Sequence, residues 1–255
     1  MNDLSPERLA WATGSRPYEF HPTLGSTNDR AMSLLLAGAP TGITVLADEQ
    51  TAGRGRLGRA WHSPPGSALM LSIVLRPPPA AQSDVGMLGA LIICEAVEAL
   101  GVRGAGIKWP NDVQVDGRKL SGILPEAAWK GNALAGVVLG IGVNVSVDFS
   151  ETSFHETAIS LGDTGASTDR AALLRALLER FDQRSAQLGS DLLFEAWRAR
   201  LNMLGRTISV LNTGGTNSAG ALRGTAEGVD RDGALRLRGD DGAVRRVIAG
   251  DIAFG

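Results

Sequence analysis

The stretch Gln50-Thr-Ala-Gly-Arg-Gly-Arg-Leu-Gly-Arg-Ala-Trp61 sets three glycines, Gly53, Gly55 and Gly58, against three interleaved arginines, Arg54, Arg56 and Arg59. Glycine permits positive φ and close approach of backbone to a ligand. Arginine is a permanently charged, planar donor matched to carboxylate and phosphate. Apolar segments lie on either side, from Gly42 to Ala47 and from Ser67 to Arg76. A basic loop held between two apolar strands belongs to a folded scaffold rather than to a disordered Gly/Arg tail. It is suited to gripping a phosphate-bearing substrate and closing over it. A solvated surface loop is the other reading of the same residues.

Composition limits what that scaffold can be. Over 255 residues, 44% are hydrophobic, enough for one large domain and a small one. The formal net charge of −2 gives no global drive towards nucleic acid or anionic membrane, so the positive charge is local. Cys94 is the only cysteine, which excludes an intrachain disulfide and fits a reducing cytoplasm. Within Leu91-Ile-Ile-Cys94 it reads as a small buried apolar residue. The first eight residues lack the apolar core of a secretion signal. The most apolar long run, Val85 to Leu100, carries Glu95 and Glu98 and is too short to span a bilayer. His21, His62 and His155 are scattered, which gives no zinc site. No Walker A motif and no G-x-S-x-G elbow occurs. Gly53 to Gly58 has the G-x-G-x-x-G spacing, but arginines fill it and no helical run follows.

Ser5 and Pro6 predict a helix over 5–12, as N-cap and first helical residue. Tyr18 to Leu24 reads as a strand up to Pro22. Ser26, Thr27 and Asn28 are capping types ahead of a helix over 30–37. They form either a plain cap or a helix start that offers free N–H groups to an anion. Strands follow over 42–47 and 67–76, then a helix capped by Ser83 or Asp84 and ending near Gly101. Pro110 pushes Trp109 towards an extended backbone. Val113 to Val115, the turn Asp116-Gly117, and Lys119 to Leu124 make a hairpin. It gathers Lys108, Asn111, Asp112 and Lys119 at strand ends. Asn144 lies in the apolar strand 134–147, where a polar amide must find a structural partner or a ligand. Thr168 or Asp169 caps a helix over 170–187, with Leu173, Leu174, Leu177, Leu178 and Phe181 on one face. Asp191 starts a shorter helix with Phe194 and Trp197. From Arg206 the chain reads as short strands over 207–211, 222–229, 234–238 and 244–248. Asp232-Gly233 and Asp241-Gly242 supply turns, and 212–220 reads as a hairpin tip. This is a small β-barrel, with domains over 1–204 and 205–255.

Three arginines, two lysines, an Asn-Asp pair and a hydroxyl-rich helix start, with no evident nucleophile, suit phosphoryl or adenylyl transfer. There, positioning and electrostatics supply most of the catalysis. Ser26-Thr-Asn28, Gln50 to Arg56 with Gly58-Arg-Ala-Trp61, Lys108-Trp-Pro-Asn-Asp112, Lys119-Leu-Ser-Gly-Ile-Leu124 and Gly140-Ile-Gly-Val-Asn144 together resemble the ordered signature of biotin–protein ligases. The tail resembles that family's SH3-like C-terminal domain.

The resemblance implies an α+β protein. Its mixed β-sheet, backed by helices, is similar to class II aminoacyl-tRNA synthetases, and a small SH3-like barrel follows. It implies activation of biotin by ATP to biotinyl-5′-AMP, with Mg²⁺, and transfer to a lysine of a biotin carboxyl carrier protein domain. Ser26, Thr27, Asn28, Gln50, Gly53 and Gly122 would line the biotin pocket, with Arg54 and Arg56 holding the loop over it. Arg56, Arg59 and Lys119 would neutralise carboxylate and phosphates. Lys108, Asn111, Asp112 and Asn144 would hold ATP and Mg²⁺, the metal through Asp112, and Trp61 would stack on adenine. Arg56, Lys119 and Asp112 are the expected catalytic residues. Some family members carry a DNA-binding domain ahead of the core. With about twenty-five residues before Ser26, a monofunctional, cytoplasmic ligase is expected, a monomer or weak homodimer with no nucleic acid partner. Two other readings are a lipoate–protein ligase or octanoyltransferase, whose arginine-arginine-serine-glycine loop is missing, and a non-enzymatic biotin sensor acting on DNA.

Overall fold

The computed structural model describes residues 3–61, 63–166, 169–211 and 221–254. Seven strands form the main sheet: β1 (Tyr18–Leu24), β2 (Thr44–Gln50), β3 (Ala68–Leu75), β4 (Gly106–Lys108), β5 (Asp112–Val115), β6 (Arg118–Lys130) and β7 (Ala133–Asn144). Their order is β1-β2-β3-β7-β6-β5-β4. Only β1 and β2 run parallel, so the sheet is mixed. The strand β1 continues through Pro22 instead of stopping there. It is the sheet's edge, where a missing N–H removes no ladder bond. The β5–β6 hairpin turns on Asp116 and Gly117, both at positive φ (51° and 75°), as a two-residue turn of the primed type requires.

Strand residues alternate between faces, and the two faces are covered differently. Helix α2 (Thr27–Leu36) packs Ala31 and Leu35 on Val45, Val74 and Val138. On the other face lie α1 (Pro6–Thr13), α3 (Asp84–Ala99), α4 (Arg170–Ser185) and α5 (Asp191–Arg198), which bury the interleaved set that includes Ile73, Leu75, Val137 and Leu139. Cys94 is fully buried in α3, and burial pushes its thiol up to about 12, which leaves it unreactive.

The caps show where local reading succeeds. Ser5 accepts the Arg8 N–H and Asp169 accepts the Ala172 N–H, as expected. Thr168 lies outside the described residues. The predicted face of α4, from Leu173 to Phe181, is buried. Ser190, one residue before Asp191, caps α5. Neither Ser83 nor Asp84 caps α3. Asp84 is buried and instead takes two hydrogen bonds from Arg231, at 2.8 and 3.1 Å, and one from the Gly189 N–H.

Arg231 belongs to the hairpin between two strands of the second sheet, so that ion pair joins α3 to the second sheet. The second sheet holds β8 (Thr207–Leu211), β9 (Leu222–Val229), β10 (Leu235–Arg238), β11 (Val244–Val247) and β12 (Asp251–Phe254), in the order β11-β10-β9-β8-β12. It is the small SH3-like barrel. The sequence reading finds its first four strands and misses β12. The expected tip over 212–220 lies outside the described residues. Trp109 is buried beneath this unit and donates its indole N–H to Gly233 O at 2.8 Å. Among the described residues, no helix is long and apolar enough to cross a membrane.

Candidate active site

The α2 face of the sheet is left open beyond the reach of α2. There Ser72 pairs with Gly140 across β3 and β7, and Gly142 with Gly122 across β7 and β6, so four of the inward positions are small. The hollow is a cleft of about 770 Å³. Ser26, Thr27, Asn28, Gln50, Arg54, Arg56, Arg59, Trp61, Lys108, Asn111, Asp112, Lys119, Gly122 and Asn144 all line it. Gly53 does not. It is buried at the neck of the Gly/Arg loop, where a side chain would stand 2.7 Å from Trp61 O.

At one end, Gln50 turns back onto α2. Its Oε1 accepts the Thr27 N–H at 2.7 Å and the Thr27 hydroxyl at 3.0 Å. This explains why α2 starts at Thr27, three residues before the expected 30. A side chain 23 positions away supplies the cap, while the Ser26 hydroxyl makes no cap bond. Asn28 is spent on the scaffold. Its Oδ1 lies 2.6 Å from Ser72 Oγ, and its Nδ2 donates to Leu124 O (3.2 Å) and to Glu126 Oε2 (2.5 Å). A methyl group on Gly140 would overlap Asn28 Oδ1. Gly140→Ala is therefore expected to displace a triply held amide and to cost about 1–3 kcal/mol. Thermal melting measures this, and an unchanged melting temperature would show that Asn28 can swing clear.

The Gly/Arg loop is a small hairpin closed by Trp61 N–H to Gly53 O (2.9 Å) and Gly55 N–H to Arg59 O (2.7 Å). Its arginines look alike in sequence and differ in surroundings. Arg54 makes two 2.7 Å bonds to Asp29, which hold that carboxyl below its usual range. Arg59 pairs with Asp251 of β12, and the hydrogen bond raises its pKa. Arg56 is half-buried, and burial lowers its pKa. Its Nη1 donates to Asn111 Oδ1 at 3.0 Å and to Gly250 O at 3.5 Å.

Opposite the loop, Lys119 Nζ lies 2.7 Å from Asp112 Oδ1 and 5.9 Å from the centre of the Trp61 ring. That ring rests on Gly142 and Gly122, where side chains would come within 2.8 and 3.3 Å of it. The indole Nε1 is buried with no partner among the described residues. Asn144 donates to Lys119 O (3.3 Å) and Ile159 O (3.2 Å), so its amide protons fix the backbone that carries Lys119. Lys108 stands 6.0 Å from the centre of the Phe254 ring.

Several lining or bracing residues escape the sequence reading. Ser72 had a usable signal, being the one hydroxyl in an apolar strand, where a buried polar group needs a partner. Asp29 and Glu126 look like ordinary surface acids. Asp251 and Phe254 reach the cleft from a strand about 140 residues after Asn111, with no local sign.

The fold and the cleft define an acyl-activating ligase of the biotin and lipoate class. Residues 21–144 match the biotin/lipoate A/B protein ligase family, and residues 204–255 match the biotin protein ligase C-terminal domain. The biotin–[acetyl-CoA-carboxylase] ligase of Paracoccus denitrificans is 37% identical over 242 residues, covering 90% of this chain and 97% of that protein. The bifunctional ligase/repressor BirA of Bacillus subtilis is 32% identical over 250 residues, covering 92% of this chain and 73% of that protein. The biotin protein ligase from Aquifex aeolicus, solved with biotin and ATP, superposes with a TM-score of 0.75 at 25% identity, covering 93% of this chain and 97% of that one. The chain belongs to the biotin protein ligase family.

Proposed function

We infer that this protein condenses biotin with ATP to give biotinyl-5′-AMP and pyrophosphate, then passes the biotinyl group to the lysine of a biotin carboxyl carrier domain of an acyl-CoA carboxylase. The observation that carries the reading is one cleft with two unlike ends. One end is a small-residue floor beside an amide-capped helix start. The other gathers Arg56 and Lys108, and Lys119 stands between the two, against Gly122. A bicyclic ureido acid with an apolar tail fits the first, and a triphosphate fits the second.

In the first step a biotin carboxylate oxygen attacks the α-phosphorus of ATP, and pyrophosphate leaves. Both reactants are anionic, so Arg56 and Lys119 offset their repulsion and the charge that builds at phosphorus. Asp112 holds the Lys119 ammonium in place. In the second step the carrier lysine's amine attacks the acyl carbon and AMP leaves. The Gly/Arg hairpin keeps water from the mixed anhydride between the steps. Gln50, Thr27 and Gly122 are the biotin-side residues. Asn111 and Asn144 are the nucleotide-side residues in this reading, and Trp61 would supply its ring to adenine. Among the described residues, no group of three His, Cys, Asp or Glu could hold a metal ion. Mg²⁺ would be supplied with ATP, where it would offset phosphate charge, and Asp112 is the residue that would hold it. Residues 1–204 form the substrate-binding unit in this reading. The barrel over 205–255 completes the cleft through Asp251 and Phe254.

Incubation with biotin, Mg-ATP and a purified carrier domain is expected to yield a streptavidin-reactive carrier. A parallel reaction with lipoate tests the alternative substrate. A carrier that stays unlabelled with biotin and gains lipoate would overturn the reading.

A further inference from the structure

Glu126 stands behind two lining residues of the cleft, Asn28 and Arg54, and has no part in the chemistry above. Glu126 lies on β6, on the same face as Gly122 and Leu124 by strand alternation. An anion beside a cleft for two anionic substrates is unfavourable unless it holds something else. Its Oε2 receives Asn28 Nδ2 at 2.5 Å and stands 3.4 Å from Arg54 Nη2. Arg54 is also clamped to Asp29 through both terminal nitrogens. Asn28 and Asp29 form the first turn of α2, and Gln50, at the root of the Gly/Arg loop, caps that same turn. The loop is thus tied to one helix turn at two points, Gln50 and Arg54. Glu126 fixes both the turn and the arginine from the sheet side. An isolated exposed ion pair holds little. Here one guanidinium is shared by two carboxylates, and the Glu126 side chain is the less exposed of them, at 34% against 61% for Asp29.

We propose that Glu126 is a positioning residue: through Arg54 and Asn28 it holds the Gly/Arg hairpin shut over the acyl-adenylate and sets the rate at which that intermediate escapes. The proposal rests on the ligase reading above. Glu126 touches no reacting atom, so it governs retention rather than formation of the adenylate.

The test uses the full-length chain loaded with biotin and Mg-ATP in the absence of carrier. The release rate of biotinyl-AMP is followed by chase, and its formation rate by single turnover. Glu126→Gln keeps an acceptor oxygen for Asn28 and removes the charge facing Arg54. It is expected to release the adenylate roughly five-fold faster, the scale of a partly exposed ion pair, with its formation rate little changed. Glu126→Asp retains the charge and is expected to fall between wild type and Glu126→Gln. The double variant Arg54→Gln with Glu126→Gln is expected to release no faster than Arg54→Gln alone, because both act through one contact. Wild-type release by Glu126→Gln, or multiplicative effects in the double variant, would overturn the proposal. Equal slowing of formation in every Glu126 variant, without faster release, would do the same. A wild-type chain that forms no adenylate overturns the ligase reading, and this inference with it.

Discussion

Lys119→Ala is expected to lower the rate of biotinyl-AMP formation by roughly 10²- to 10³-fold while leaving the fold intact, the loss typical of removing one preorganised donor from a developing anion. The reason lies in how the residue is held. Its backbone N–H donates to Thr157 O at 2.8 Å, and its carbonyl accepts Ile159 N–H at 3.0 Å and Asn144 Nδ2 at 3.3 Å. Those bonds survive truncation to alanine, so melting should change little. The ammonium, by contrast, has no substitute at its position. It stands against Asp112 and over the edge of the Trp61 platform, between the glycine floor and the nucleotide side. Removing it also leaves Asp112 without its cation, and that carboxylate then repels the phosphates. Pyrophosphate release measures the effect directly. Wild-type-like release by Lys119→Ala would remove Lys119 from the mechanism.

The parts of this molecule that were legible in the sequence are those whose causes are local. The β5–β6 hairpin follows from Asp116-Gly117 between apolar runs. Ser5 and Asp169 cap helices through N–H groups three residues on, and α4 buries the face its periodicity marks. The parts that were not legible have distant causes. The start of α2 depends on Gln50, and the passage of β1 through Pro22 depends on where β1 falls in the sheet. Asp84 looks like a cap and serves as the buried anchor for Arg231, 147 positions away. Asp251 and Phe254 enter the cleft only because the barrel docks there.

The same division runs through the candidate site. Every expected lining residue except Gly53 gathers in one cleft, because the motifs sit at strand ends that the sheet brings side by side. What sequence could not separate is contact from support. Asn28 and Asn144 look like ligand amides, yet their Nδ2 protons all go to protein acceptors. The three loop arginines are equivalent as letters. Arg54 pairs with Asp29 and Glu126 and Arg59 with Asp251, carboxylates on three separate elements, while Arg56 donates to neutral oxygens.

That inequality among the arginines leads to a second large effect. Arg56→Ala is expected to reduce kcat/KM for ATP by roughly 10²-fold, well beyond Arg59→Ala, again on the scale of a lost charge-stabilising donor. Arg54 and Arg59 are hydrogen-bonded to carboxylates, and much of their charge is answered before substrate arrives. Arg56 is half-buried and donates to neutral oxygens of Asn111 and Gly250, with Asp112 and Asp251 acting on it only through space. Burial works against its cation, yet a guanidinium in a protein does not give up its proton. The cleft therefore holds a charge that is costly in the empty protein and relieved when a phosphate or carboxylate binds. Two measurements should move in opposite directions. Pyrophosphate exchange should collapse in Arg56→Ala, while the melting temperature of the substrate-free protein should hold steady or rise, as when a strained functional group is removed. A variant that loses stability and activity together would show that Arg56 braces the hairpin, and that the phosphate charge is met elsewhere.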